Sequence, residues 1–187
     1  EQRAKYVGIT LEKANRLEQL INEFFEITRF NLQTIVLNKE KINLLFMLQQ
    51  MADEFYPILA PQRKAVSVSV PEGLVLYGDA DKLARVFNNI LKNAIAYSYE
   101  DSVIEISAGK QDKYVEISFT NRGNPIPQAK LDTIFEKFYR LDSARSTDTG
   151  GAGLGLAIAK EIVKAHDGTI SVESTLEKTV FTVRLPV

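Results

Sequence analysis

The stretch GGAGLGLAIAKEIVKAHDG, residues 150–168, places glycines at alternate positions, Gly151, Gly153 and Gly155, directly ahead of a strongly helical pattern. Inside a helix glycine costs about 0.5–1 kcal/mol relative to alanine, so a helix introduced this way gives up stability for bare backbone. Bare backbone lets amide groups approach phosphate oxygens, and the helix behind them presents its positive N-terminal end. Two common phosphate-binding architectures are nevertheless excluded. No G-x-x-x-x-G-K-[ST] segment is present, and the glycines do not follow a β-strand as the dinucleotide fingerprint requires.

The residues just upstream fit a site for an anionic ligand. Phe135, Phe138 and Tyr139 can anchor a segment otherwise poor in apolar content, and the small, polar, glycine-rich residues 142–153 predict a lid. Lys137, Arg140 and Arg145 are candidate phosphate partners. Two further segments carry polar groups of interest. In DADKLARVFNNILKNAIAYS, residues 79–98, Leu83, Val86, Phe87, Ile90, Leu91 and Ala94 make an apolar helix face, while Asn89 and Asn93 stack one turn apart. A stacked pair offers neutral carbonyl oxygens, which suit a Mg²⁺ ion already carried by phosphates; exposed asparagines are also common on helices that bind nothing. In TNRGNPIP, residues 120–127, Gly123 allows a tight turn or close approach of a planar ligand, and Asn121 can hydrogen-bond a base edge. The plainer reading is a turn punctuated by Pro125 and Pro127.

Composition narrows the class. The 187 residues are 45% hydrophobic and 25% charged, with a net charge of -1, so there is no electrostatic footprint for nucleic acid. Cysteine is absent, which rules out disulfides and thiolate metal sites. No apolar run approaches the ~18 residues of a membrane span. The opening EQRAKY has no signal-peptide character and reads like the middle of a longer chain.

Residues 4–31 differ from the rest. Val7, Leu11, Ala14, Leu17, Ile21, Phe24 and Thr28 recur at steps of three and four, and Leu20, Phe25 and Ile27 widen the stripe. A helix of this length would run about 42 Å and cannot bury its own stripe, so it predicts part of a helical hairpin or bundle; the alternative is a long helix packed on its own domain. The remainder, 34–187, reads as a second domain. An extended connector (TIVLNKEKIN) leads to a helix from about Leu44 to Leu59, ended by Pro61. Strands are predicted at 66–70 and 74–79, then a helix at about 80–98 capped by Asp79 or Asp81. A hairpin over 102–121 turns at Gly109–Asp112, residues 127–140 are helical in part, and a helix ending near His166 precedes a last hairpin. The expected class is α+β: helices on one face of a mixed sheet.

Asn89 with Asn93, then N-x-G at 121–123, FEKFYR and GGAGLGL, in that order, resemble the ATP-binding domain of sensor histidine kinases, which share the Bergerat fold with gyrase-type ATPases and heat-shock chaperones. RLEQLINEFFEITR resembles the second helix of the dimerisation and phosphotransfer hairpin, over residues 1–33. The wording of DKLARVFNNILKNA and FEKFYRLDSARSTDTGGAGLGLAIAKEIV is especially similar to the vancomycin-resistance sensor kinases. The resemblance implies ATP and Mg²⁺ as ligands, with Asn93 the metal ligand and Asn89 a phosphate or metal partner at the reacting end. Arg140 or Arg145 would act on the γ-phosphate. Tyr97, Asn121, Gly123, Ile126, Lys137, Gly151, Gly153, Leu154 and Gly155 would complete the nucleotide site.

It further implies a homodimer through the hairpin, a cognate response regulator as partner, and a cytoplasmic domain of a membrane-anchored sensor. Gyrase-type relatives carry Glu where Asn89 stands, and an amide cannot take a proton from water, which favours transfer over hydrolysis. A non-catalytic nucleotide-binding or dimerisation module is the other alternative. Departures from the family pattern are Asn121 for the usual Asp, Pro125 for a glycine, Ala96 for a lysine, Asp167–Gly168 for a Gly–Gly pair, and LEKTVF, which lacks the glycines often found before the last strand. The only histidine, His166, reads as a surface or C-terminal cap residue, and the family's phosphoacceptor is expected upstream of this sequence.

Overall fold

The computed structural model describes residues 35–139 and 153–187, together with 3, 6–11, 13, 14, 17 and 21. The chain divides into two compact units, Glu1–Ile35 and Val36–Val187. In the first, every described residue before position 35 is helical, as the spacing predicts, and Val7, Leu11, Leu17 and Ile21 of the stripe are exposed. Leu20, Phe24, Phe25, Ile27 and Thr28 lie outside the described residues.

The second unit begins with β1 (Glu40–Asn43) and α1 (Leu44–Glu54). Asn43 Oδ1 caps α1 by accepting the Phe46 amide at 3.1 Å. The helix expected to reach Leu59 breaks at Phe55; α2 (Tyr56–Leu59) and a 3₁₀ turn (Ala60–Gln62) follow. Pro57 and Pro61 are the cause. Each lacks an amide hydrogen and sits in the first turn of a new segment, where none is needed. The supposed connector is partly a strand: β1 pairs antiparallel with β3 (Val75–Gly78), Glu40 opposite Gly78 and Asn43 opposite Val75. This ribbon is separate from the main sheet.

The main sheet has the order β2-β4-β5-β7-β6, formed by β2 (Ala65–Ser69), β4 (Val103–Gln111), β5 (Tyr114–Asn121), β7 (Thr179–Pro186) and β6 (Thr169–Ser174). β2 runs parallel to β4 and the other pairs are antiparallel, so the sheet is mixed as expected. The β4–β5 turn falls two residues later than the glycine suggested. Gly109 stays in the strand, and Asp112, at φ 53°, takes the left-handed turn position that Asp tolerates.

Three helices pack on this sheet: α1 against β2, α3 (Ala80–Tyr97), capped by Asp79, against β5, and α4 (Gly155–Ala165) against β6. The predicted apolar face of α3 is buried in full, against Ile104, Ile106, Ile117, Phe119 and Val183 of the strands. Residues of the opposite parity, such as Glu105, Ser107 and Arg184, are exposed. Phe87 and Phe119 are the largest fully buried side chains of this core, their ring centroids 6.0 Å apart. Phe87→Ala is expected to cost about 3–5 kcal/mol in urea denaturation. Phe46→Ala, at a side chain 65% exposed, is expected to stay within ~0.5 kcal/mol.

Candidate functional site

The stacked asparagines of α3 face the start of α4. Asn89 Nδ2 donates to the Gly155 carbonyl at 3.0 Å, and Asn93 Nδ2 donates to the Asn89 carbonyl at 2.9 Å. Both partners are carbonyl oxygens, which only accept, so both amide nitrogens must face them. The two side-chain oxygens make no hydrogen bond to another described residue. A Cβ on Gly155 would meet the Asn89 carboxamide at 3.4 Å, an ordinary van der Waals contact, so the two groups lie directly against each other.

α4 itself starts without a side-chain cap and without an acidic residue in its first turn, unlike α1 and α3 with their Asn43 and Asp79 caps. Among the described residues, its leading amide hydrogens therefore have no side-chain acceptor, and no acidic residue of its own first turn offsets its positive end. Gly153, at φ 76°, turns the chain into Leu154, which is buried. The Gly153 carbonyl accepts the Phe138 amide at 3.1 Å, joining the two ends of the segment between them. Phe138 has φ 65°, a conformation costly for a bulky residue and characteristic of functional sites. Of the expected aromatic anchors, Phe135 is buried edge-on against Phe181, with Lys160 Nζ 5.7 Å above its ring. Phe138 is not an anchor; its strained backbone leaves the ring exposed. Lys137 is exposed beside it. Arg140, Arg145 and Gly151 lie outside the described residues.

At the other end of the asparagine helix, Tyr97, Asn121 and Gly123 come together. Ser98 forms a bridge with Gly123, and the Tyr99 amide donates to the Arg122 carbonyl at 2.9 Å. A Cβ on Gly123 would collide with the Tyr97 carbonyl oxygen, so this glycine is required by the approach of helix end to strand end. Tyr97 is partly exposed at the rim, whereas Asn121 is buried and its carboxamide bonds to no other described residue. Ile126 is held from the opposite hairpin: its amide donates to Ser174 Oγ at 2.9 Å, and Ser174 Oγ lies 2.7 Å from Thr179 Oγ1. Thr179 is buried directly opposite Asn121. Neither hydroxyl was flagged by the sequence, because cross-strand register has no local signal. Lys64 was also missed. Buried, it donates from Nζ to the Ile95 carbonyl at 2.7 Å and places a cation at the C-terminus of α3, and burial lowers its pKa.

His166 is not a surface residue. It is buried at the C-cap of α4 with both ring nitrogens engaged. Asp167 beyond it takes φ 59°, and a Cβ on Gly168 would collide with the Arg184 carbonyl, so only the first of the two usual glycines is dispensable.

Among the described residues no group of three or more His, Cys, Asp or Glu side chains can hold a metal ion. What this end of the molecule offers is uncharged carboxamide oxygen beside an uncapped helix start. That donor set fits Mg²⁺ bound mainly by phosphate and water, for which one or two protein oxygens suffice. Gly123→Ala is expected to destabilise the chain by about 1–3 kcal/mol. Gly109→Ala, where a Cβ meets nothing within 4 Å, is expected to be neutral or stabilising by up to ~1 kcal/mol in the same denaturation measurement.

Residues 78–187 match the family model described as histidine kinase-, DNA gyrase B-, and HSP90-like ATPase. Over 186 residues the chain is 62% identical to the sensor protein VanS of Enterococcus faecium, covering 100% of this chain and 48% of that protein. Identity to the sensor protein VanSC of Enterococcus gallinarum is 48% over 184 residues, covering 98% and 51%. The chain therefore spans about half the length of these curated relatives. Among solved structures, full-length ShkA in complex with AMPPNP superposes with a TM-score of 0.89 over 100% of this chain and 39% of that one; at 24% identity the likeness shows the fold. Histidine kinase ThkA, solved with the response regulator protein TrrA, gives a TM-score of 0.79 at 25% identity, covering 100% and 52%. With buried Asn121, the paired asparagines and the glycine-led helix lying inside the matched segment, the chain belongs to the histidine kinase-, DNA gyrase B- and HSP90-like ATPase family.

Proposed function

We propose that this chain is the ATP-binding catalytic region of a two-component sensor histidine kinase. It transfers the γ-phosphoryl group of ATP to a histidine on a dimerisation hairpin, for onward signalling to a response regulator in glycopeptide-antibiotic resistance. One observation carries the reading: the Asn89 and Asn93 oxygens are left uncommitted beside the uncapped start of α4. Identity to VanS and VanSC supports the resistance context, and the ThkA complex supports a response regulator as partner.

In this reading adenine lies against Asn121, with Gly123, Ile126 and Tyr97 shaping its pocket. The phosphates extend toward Gly153, Leu154 and Gly155, where the amides of α4 orient them. Asn93 holds the magnesium ion through Oδ1, and Asn89 orients the phosphate end. Magnesium, when bound, neutralises charge on the phosphate oxygens. Lys137, Arg140, Arg145 and Gly151 act on the phosphate side. The chain's part in catalysis is positioning and electrostatics. An acceptor imidazole nitrogen bonds to the γ-phosphorus as the bond to the bridging oxygen breaks, and ADP leaves. His166 cannot be that acceptor, since its two nitrogens are spent on Asp79 and Ile162. The acceptor comes from a hairpin completed outside this sequence, of which residues 1–33 form the second helix. That helix pairs with its copy in a homodimer, and the catalytic unit sits on the cytoplasmic side of a membrane sensor. Among the described residues, no helix is long and apolar enough to cross a membrane.

Asn89 also separates transfer from hydrolysis. A carboxamide has no basic site for a water proton, so a gyrase-type hydrolase is disfavoured. The test mixes this chain with a separately made acceptor hairpin and labelled ATP. Acid-labile label appears on the hairpin and falls at least ~100-fold in Asn93→Ala, the loss typical of removing a metal-positioning ligand. Nucleotide binding without transfer under any pairing would leave only a binding module. A second measurement addresses Asn121: Asn121→Asp is expected to tighten Mg-ATP binding about fivefold in calorimetry, because a charged acceptor bonds the adenine amino group more strongly than a neutral one.

A further inference from the structure

α3 and α4 lie side by side in opposite directions and are tied at two places. At the nucleotide end Asn89 bonds the Gly155 carbonyl. At the far end the Asp79 amide donates to His166 Nε2 at 2.9 Å, and Nδ1 donates to the Ile162 carbonyl at 2.8 Å. Since Nε2 accepts, the imidazole is neutral with its proton on Nδ1. From Asp79 to Asn89 is about 15 Å of helix axis, and from Gly155 to His166 about 16 Å, at ~1.5 Å per residue. The two ties close a frame whose long sides match, so neither helix can slide without breaking one of them.

We propose that His166 is a positioning residue of the nucleotide site: its neutral ring pins the end of α4 to the start of α3 and thereby holds the Asn89–Gly155 contact in register at the other end of the frame. The inference rests on the nucleotide-binding reading above.

The groups around the ring support a contact that depends on its protonation state. The Asp79 side chain accepts from the Lys82 amide and Nζ, and from the Asn38 amide of the segment leading into β1. Lys39 pairs with Asp167 at 3.9 Å. Tyr77 of β3 and Lys39 line a small cavity beside the ring with Leu185, Pro186 and Val187. Burial lowers the His166 pKa from 6.5; the bond to Ile162 and the Asp79 charge act against this, and Lys39 and Lys82 act with it. Burial opposes the Asp79 carboxylate, but its bonds from Lys82 and Asn38 outweigh that and hold its pKa below the usual carboxylate range. The sign follows: the unfolded chain takes up the histidine proton first, so the stability tied to neutral His166 is complete above 6.5 and is lost as pH falls through the folded value. An imidazolium has two donors and no acceptor, so protonation removes the tie to the Asp79 amide.

The test compares wild type, His166→Phe and His166→Gln by calorimetry, with magnesium and a non-hydrolysable ATP analogue as probe. His166→Phe strands the Asp79 amide and is expected to bind about tenfold more weakly at pH ~7.5, while His166→Gln, which keeps an acceptor, recovers to within about twofold. As pH falls below 6.5 through the depressed folded value of His166, wild type is expected to lose affinity that His166→Gln keeps. Folded His166→Phe that binds like wild type overturns the inference. If that variant fails to fold, equal pH dependence of wild type and His166→Gln overturns it instead. Wild type that binds no nucleotide overturns the function proposed above and this inference with it.

Discussion

The axial register of α3 against α4 is the constraint on which the site depends. Apolar packing brings the two helices together: Phe87, Ile90 and Leu91 on one, Ile158, Ile162 and Val163 on the other are buried. Hydrophobic attraction is not directional, and alone it sets a helix's position along its axis only loosely. Hydrogen bonds set it sharply. The Asn89–Gly155 and Asp79–His166 contacts fix which carboxamide stands beside the uncapped helix start, and with it where two neutral oxygens and a positive helix end converge.

The opposite end of α3 is fixed by different means. Lys64 Nζ satisfies the Ile95 carbonyl, the Ser98–Gly123 bridge closes helix end onto strand end, and the Tyr99 amide reaches the Arg122 carbonyl. These contacts hold Tyr97 at the rim over buried Asn121. The mixed sheet supplies a rigid floor, since β5 is paired on both sides along its length and delivers Asn121 at its last position. The site is thus assembled from element ends whose positions are set by the core and trimmed by a few polar contacts.

Much of this was readable because it is periodic. Leu83, Val86, Phe87, Ile90, Leu91 and Ala94 announce one helix face, and Asn89 and Asn93 fall one turn apart whatever the helix packs on. Strand alternation likewise marks Ile104 and Ile106 as inward-facing. What escaped notice is tertiary. Lys64 meets Ile95 across 31 residues, His166 meets Asp79 across 87, and Ser174 is placed against Ile126 only by the final hairpin. No local pattern encodes those pairings. Gly123 carries a tertiary requirement beside its local one, since the atom that forbids a side chain there belongs to Tyr97. Pro57 is legible in the sequence: its missing amide divides the helix before Pro61 can end it.

The most direct test of the central claim is a crystal structure of this chain with magnesium and a non-hydrolysable ATP analogue. The account predicts magnesium at about 2.1 Å from Asn93 Oδ1, phosphate oxygens at the start of α4 with the Asn89–Gly155 bond intact, and the adenine amino group on Asn121. Nucleotide bound elsewhere, or metal without an Asn93 ligand, would contradict it.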